Sequence, residues 1–146
     1  MKVFNPDNTP ISLYIHLPWC EKKCPYCDFN INVNKTLGDE EKLLGALFED
    51  LSFSKKYILN RKFSSIYFGG GTPSLVSPKI IKKLITKLSN EGLIKDHCEI
   101  SFELNPKEVS KEYLNDITNI GINRISIGIQ SFDQIVLDSL ERNHNA

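Results

Sequence analysis

The sequence predicts an α/β fold, about four parallel βα units forming part of a (βα) barrel. Three observations lead there. Segments of strand character alternate along the chain with segments of helical character, the order of parallel βαβ units. Each strand candidate is apolar on one face and polar on the other. The residues capable of chemistry cluster at the C-terminal ends of those strands, where (βα) architectures collect their active sites.

Strands are expected at residues 11–18 (ISLYIHLP), 64–69 (SSIYFG), 98–104 (CEISFEL) and 124–130 (RISIGIQ). A first helix is expected from about Asp39 to Leu59. The second opens at Ser77-Pro78, an N-cap followed by proline at the first helical position, and ends near Gly92. The third begins at Ser110 and stops at Gly121. A fourth follows Ser131, with Gln134 placed to complete a capping box. Within the strands, Leu13, Ile15 and Leu17 oppose Ser12, Tyr14 and His16, and Ile100 and Phe102 oppose Ser101 and Glu103. Ile125, Ile127 and Ile129 oppose Arg124, Ser126, Gly128 and Gln130. A sheet covered by helices on both faces reads apolar throughout. The one-sided pattern therefore places helices on one face and a polar, cofactor-sized space on the other, as in a partial barrel. The alternative, a half-solvated antiparallel sheet, is disfavoured by the intervening helices.

At 146 residues, 40% hydrophobic and 25% charged, the chain has the size and composition of one globular domain. Its formal net charge of zero supplies no electrostatic footprint for nucleic acid or an anionic membrane surface. No stable membrane span is expected, because no run approaches the roughly 20 apolar residues one needs. The N-terminus lacks the apolar stretch of a secretion signal. The expected location is the cytoplasm, where clustered cysteines more often bind metal or act in redox chemistry than form disulfides.

Three of the four cysteines, Cys20, Cys24 and Cys27, follow the first strand with the spacing C-x3-C-x2-C. A structural zinc site wants four ligands, and a catalytic one three plus water. Three thiolates on one loop can instead hold three irons of a [4Fe–4S] cube, leaving the fourth iron for a small molecule. Spacing alone leaves an iron–sulfur site, zinc and redox thiols open. Cys98, at the start of the third strand, is expected to be a small buried residue. "YFGGGTPS" ends the second strand with three glycines that let a ligand approach the backbone, and whose amides can hold an oxygen. It lacks the G-K-[ST] ending of a phosphate loop. Glu103 closes the third strand on the polar face, either as an acceptor for a ligand hydroxyl or amine or as an ion-pair partner of Arg124. Gln130 ends the fourth strand, as a ligand contact or as a helix cap. Tyr14 and His16 face the same space, His16 in a packing or supporting role.

"CEKKCPYC" followed by "GGGTPS" resembles the radical S-adenosylmethionine (radical SAM) superfamily. "LYIHLPWCEKKCPYCDFN", "IYFGGGTPS", "ELNP" and "NRISIGIQSF" through "LERNHNA" resemble, in order and spacing, its oxygen-independent coproporphyrinogen III oxidase-like family. The likeness runs from about residue 11 to the end. It implies that the fold is the N-terminal part of a radical SAM (βα) partial barrel, with residues 1–146 a core domain truncated at its C-terminus and residues 1–10 a flexible lead-in. True oxidases carry a further cysteine two residues after the third. Here that place is Phe29, and "PWC…CPYCDFN" is similar to the HemW heme chaperone branch, which lacks established oxidase activity.

By this resemblance Cys20, Cys24 and Cys27 ligate the [4Fe–4S] cluster, and S-adenosylmethionine (SAM) chelates its open iron. Tyr14, Gly70 and Glu103 contact that SAM. Gly71, Thr72, Gln130 and Arg142 match positions lining a second SAM-sized site in the oxidases. The implied chemistry is reductive cleavage of SAM, with the protein supplying ligation, orientation and shielding. The implied partners are heme, a heme-acceptor protein and an electron donor such as a flavodoxin or ferredoxin. The resemblance leaves two further readings, a coproporphyrinogen oxidase of porphyrin biosynthesis and an inactive truncated relic.

Overall fold

Alternation within the strands sets the layering of the computed structural model, which describes residues 9–146. Four strands, β1 (Ile11–Leu17), β2 (Phe63–Gly70), β3 (Ile94–Leu104) and β4 (Arg124–Ile127), form one sheet in the order β1-β2-β3-β4. Every neighbouring pair is parallel. Helices α1 (Asp39–Ile58), α2 (Pro78–Asn90), α3 (Lys111–Ile120) and α4 (Gln134–Ser139) follow the strands in turn. The expected α/β architecture of four parallel βα units is what the chain adopts. Of the lead-in expected over residues 1–10, residues 1–8 lie outside the described residues.

Ile15, Leu17, Ile66, Phe68, Ile100, Phe102 and Leu104 are buried in one cluster with residues of α1, α2 and α3. The helix side of that cluster comes mainly from α2, whose Ile80, Ile81, Leu84, Ile85 and Leu88 recur at helical spacing on one face. Phe68 and Phe102, aligned in register, set their rings 5.7 Å apart at its centre, tilted 47° to one another. The opposite face carries Tyr14, Tyr67, Glu99 and Glu103, and its hydrogen bonds run from side chain to side chain, such as Ser65 Oγ donating to Ser12 Oγ at 2.7 Å.

The helix ends follow their sequence signals. Pro78 opens α2 after Ser77, and the Ser110 side chain accepts the Tyr113 amide at the start of α3. Three expectations need correction. The cap of α4 is Asp133, whose carboxylate accepts the Ile135 amide, while Ser131 Oγ accepts the Asp133 amide; the box expected from Ser131 and Gln134 does not form. β3 begins at Ile94, so Cys98 sits inside the strand, where it is buried as expected. β4 ends at Ile127, and its apolar face is incompletely covered: Ile125 and Ile127 are 37% and 43% exposed, because the six-residue α4 does not blanket this edge strand.

Candidate functional site

Cys20 to Cys27 hang from the end of β1 on a loop whose two ends are stitched together. The Asn32 amide donates to Pro18 O at 2.7 Å and the Cys20 amide to Asn32 O at 3.1 Å, forming a parallel bridge between Trp19 and Asn32. The exit of β2 extends the ladder on the other side. Gly71 and Thr72 donate their amides to Leu17 O and Trp19 O at 2.8 and 2.7 Å. Both amides are thus occupied by the chain itself, which for Gly71 corrects the expectation that the glycine amides stand free for a ligand oxygen. Close approach is what the glycines supply. A Cβ on Gly71 would lie 2.5 Å from Trp19 O, and Gly70, at φ 112°, would press one against the His16 ring at 2.7 Å. His16 itself fastens the loop, its Nε2 donating to Asn30 O at 2.8 Å. That tautomer leaves Nδ1 to accept the Tyr14 hydroxyl at 3.1 Å.

A cleft of about 200 Å³ opens over this rim. All three clustered cysteines line it, with Gly70, Gly71 and Thr72 from the end of β2. Glu103, Gln130 and Arg142 complete the set from three further elements. Tyr14 is the one expected site residue outside that lining. It stands beside the site, 55% exposed, its ring stacked 6.2 Å from that of Tyr67.

Glu103 accepts the Tyr67 hydroxyl at 2.7 Å. Arg124 instead pairs with Glu99 at 3.3 Å, so the alternative ion pair with Glu103 does not form. Among the described residues no cation pairs with Glu103. Burial, then the hydrogen bond to this carboxylate, pushes the Tyr67 hydroxyl up. Gln130 does not cap the following helix, whose N-cap is Asp133; it stands at φ 72°, in the left-handed region few non-glycine residues adopt.

The sulfurs are unequally served. Thr72 Oγ1 donates to Cys20 Sγ at 3.6 Å, and Arg142 Nη1 reaches Cys24 Sγ at 3.8 Å. Cys27 Sγ has no hydrogen-bond partner among the described residues. Burial pushes the Cys20 thiol up; the Thr72 hydroxyl opposes this, while Cys27 and Cys24 add to it. Asn105, which sequence reasoning passed over, ties the two bonded sulfurs together. Its Nδ2 donates to Thr72 Oγ1 at 3.3 Å and its Oδ1 accepts Arg142 Nη2 at 2.9 Å. The only sequence signal was its place directly after Glu103-Leu104 in "ELNP". Tyr26 was missed too; its hydroxyl accepts Arg142 Nη1 at 3.2 Å. Charged residues clamp the loop from outside, Glu21 to Lys107 at 2.8 Å and Lys22 to Glu141 at 3.3 Å.

The donor set fits a [4Fe–4S] cube with one iron left open: three free, partly buried thiols share one cleft, with Cys98 in the core. Among the described residues no three His, Cys, Asp or Glu side chains gather closely enough for a single metal ion. A lone zinc draws no support from this geometry, since its ligands must surround one centre.

Comparison with known proteins agrees with this class of site. The Radical SAM superfamily profile matches residues 14–146, and the chain belongs to that superfamily. Among its relatives, the heme chaperone HemW of Buchnera aphidicola subsp. Acyrthosiphon pisum is 43% identical over 137 residues, 94% of this chain and 36% of that protein. The oxygen-independent coproporphyrinogen III oxidase of Cereibacter sphaeroides is 35% identical over 134 residues, 91% of this chain and 30% of that protein. Coproporphyrinogen III oxidase (HemN) from Escherichia coli, a radical SAM enzyme, superposes with a TM-score of 0.83 at 30% identity, over 97% of this chain and 32% of the other. The chain thus spans about a third of the length of these relatives.

Proposed function

We propose that this chain is the cluster- and SAM-binding part of a heme chaperone. The observation that carries the reading is the cleft that gathers Cys20, Cys24 and Cys27 with the glycine-rich turn and Glu103. Phe29 and the likeness to HemW favour a chaperone over an oxidase. In this reading the three thiolates hold a [4Fe–4S] cluster. Tyr14, Gly70 and Glu103 contact the SAM at its open iron, while Gly71, Thr72, Gln130 and Arg142 line a second SAM-sized space.

When bound, the cluster supplies the electron for reductive cleavage of SAM, drawn from a donor such as a flavodoxin or ferredoxin. The chain's own residues do the positioning. Glu103, held by Tyr67 and without an ion-pair partner among the described residues, accepts hydrogen bonds from ligand hydroxyl or amine groups. The Gly71 backbone, pinned against Trp19, fixes how closely a ligand can lie beside Cys20. Heme is the cargo, delivered to an acceptor protein in the cytoplasm.

Anaerobic reconstitution with iron and sulfide, followed by reduction and low-temperature EPR with and without SAM, tests the cofactor reading. A [4Fe–4S] signal that SAM perturbs supports it, and a protein that takes up no cluster overturns it. Heme titration followed by absorbance tests the chaperone reading. The likeness to the Cereibacter oxidase keeps coproporphyrinogen oxidase as the second reading, and decarboxylation of coproporphyrinogen by the reconstituted chain would establish it in place of the first.

A further inference from the structure

Arg142 is the one cation of the cleft lining that reaches a cysteine sulfur, and it lies 118 residues from Cys24 in sequence. Its guanidinium is locked before any ligand arrives. Nη2 donates to Asn105 Oδ1 at 2.9 Å and to Gly128 O at 2.8 Å, while Nη1 divides between the Tyr26 hydroxyl at 3.2 Å and Cys24 Sγ at 3.8 Å. Nε is hidden from solvent without a partner among the described residues. Four donors in a rigid planar fork therefore fix the charge between the ends of β3 and β4 and the cysteine loop. Such an arrangement exceeds what holding the loop requires, since Glu21–Lys107 and Lys22–Glu141 already clamp it from outside.

A positive hydrogen-bond donor held at a cluster sulfur favours the reduced state, which carries one more negative charge, and so raises the reduction potential. We propose that Arg142 is a potential-setting residue, positioned by Asn105, that makes the cluster bound through Cys24 easier to reduce. This rests on the cluster reading of the three cysteines. The couple is one electron per cluster with no bond made or broken, and dithionite supplies the electron in the test. A second consequence concerns SAM: with Nη1 and Nη2 both engaged, Arg142 acts on the site through its charge and through the sulfur.

The test is a potentiometric titration, read by EPR, of the reconstituted 146-residue chain and three variants, each with iron and sulfide content measured. Arg142→Lys keeps the net charge but loses the planar fork, and its midpoint potential is expected to move to more negative values. Asn105→Leu removes the brace on Nη2 and is expected to move the potential the same way; it carries the test if Arg142→Lys holds no cluster. Lys82→Met removes an exposed cation of α2 outside the cleft lining, and is expected to leave the potential at the wild-type value. Wild-type potential in both Arg142→Lys and Asn105→Leu overturns the proposal, as does an equal negative shift in Lys82→Met. A wild-type chain that takes up no iron and sulfide overturns the cluster reading itself, a different failure recognised before any potential is measured.

Discussion

Asn105 Oδ1 accepts Arg142 Nη2 at 2.9 Å while the same amide donates to Thr72 Oγ1 at 3.3 Å. Three segments remote in sequence, the end of β3, the exit of β2 and the turn after α4, are thereby joined through one side chain. Because Thr72 and Arg142 each reach a cysteine sulfur, the path Cys20–Thr72–Asn105–Arg142–Cys24 is continuous.

Replacing Asn105 by leucine leaves one N–H of Arg142 Nη2 and one acceptor site on Thr72 Oγ1 unmatched. A cost of about 1–3 kcal/mol is expected for such unsatisfied groups. Urea unfolding of the apo chain measures it, with the midpoint falling and the slope unchanged.

Gly71→Ala places a methyl group 2.5 Å from Trp19 O, a backbone atom that cannot rotate aside. Separating β1 and β2 at their exits costs on the order of 1–3 kcal/mol, the range of overpacked sites. Because the same contact fixes Cys20, iron and sulfide uptake is expected to fall along with the melting temperature. Gly45→Ala, inside α1 with nothing within 4 Å of the added carbon, is the control: it leaves iron and sulfide uptake unchanged and raises rather than lowers the melting temperature, since alanine favours a helix over glycine.

Glu103→Gln keeps the shape of the side chain and removes its charge. In the proposed SAM site this weakens SAM binding roughly tenfold or more, the size of a hydrogen bond to a charged group. Tyr67→Phe, which removes the 2.7 Å hydrogen bond that orients the carboxylate and keeps the charge, is expected to produce a smaller loss. Equilibrium dialysis of labelled SAM against the reconstituted chain measures both.

Glu108 supplies a pH dependence. Its carboxylate oxygens are hidden from solvent, and burial, with Glu21 adding, pushes its carboxyl up against the opposing pull of its own backbone amide and Asn105. A raised folded pKa means that the fold favours the protonated acid. That contribution is complete below the unfolded value near 4.3 and is lost as pH rises through the folded one. Glu108→Gln is therefore expected to stabilise the chain at pH 7, by about 1 kcal/mol on the scale of one unsatisfied buried group. The gain should shrink to nothing toward pH 4. Asp39 does not confuse this window: Thr36 hydrogen bonds hold its carboxyl at about 2, so its own contribution fades only in stronger acid.

Much of the fold could be read in advance because its signals are local. Ser77-Pro78 and Ser110 with Gly121 mark helix ends through the backbone groups beside them. The alternation of Leu13, Ile15 and Leu17 marks a face whatever the neighbouring strand does. The start of β3 was not legible, since Lys95, Asp96 and His97 show no alternation, and His97 takes φ 59° where the register against β2 slips. At the site, the cysteines announced themselves by spacing. Asn105 did not, because an asparagine between leucine and proline looks like any turn residue until three distant segments converge on it. Gly71 was visible as a glycine, but its amide's partner, Leu17 O, depends on how β1 and β2 leave the sheet together.

Trp19, the sole tryptophan of the chain, is 5% exposed, sits immediately before Cys20, and has the Lys35 ammonium 5.2 Å from its ring. Its backbone forms the bridge that closes the cysteine loop. The protein thus carries an intrinsic indole fluorophore at the root of that loop, with five tyrosines as its phenolic emitters. Selective excitation reads this single position, so loosening of the loop registers as a red shift and occupation of the adjacent thiols by an absorbing cofactor as quenching. The loading of the site can be followed in real time, in a sealed cuvette, without a label.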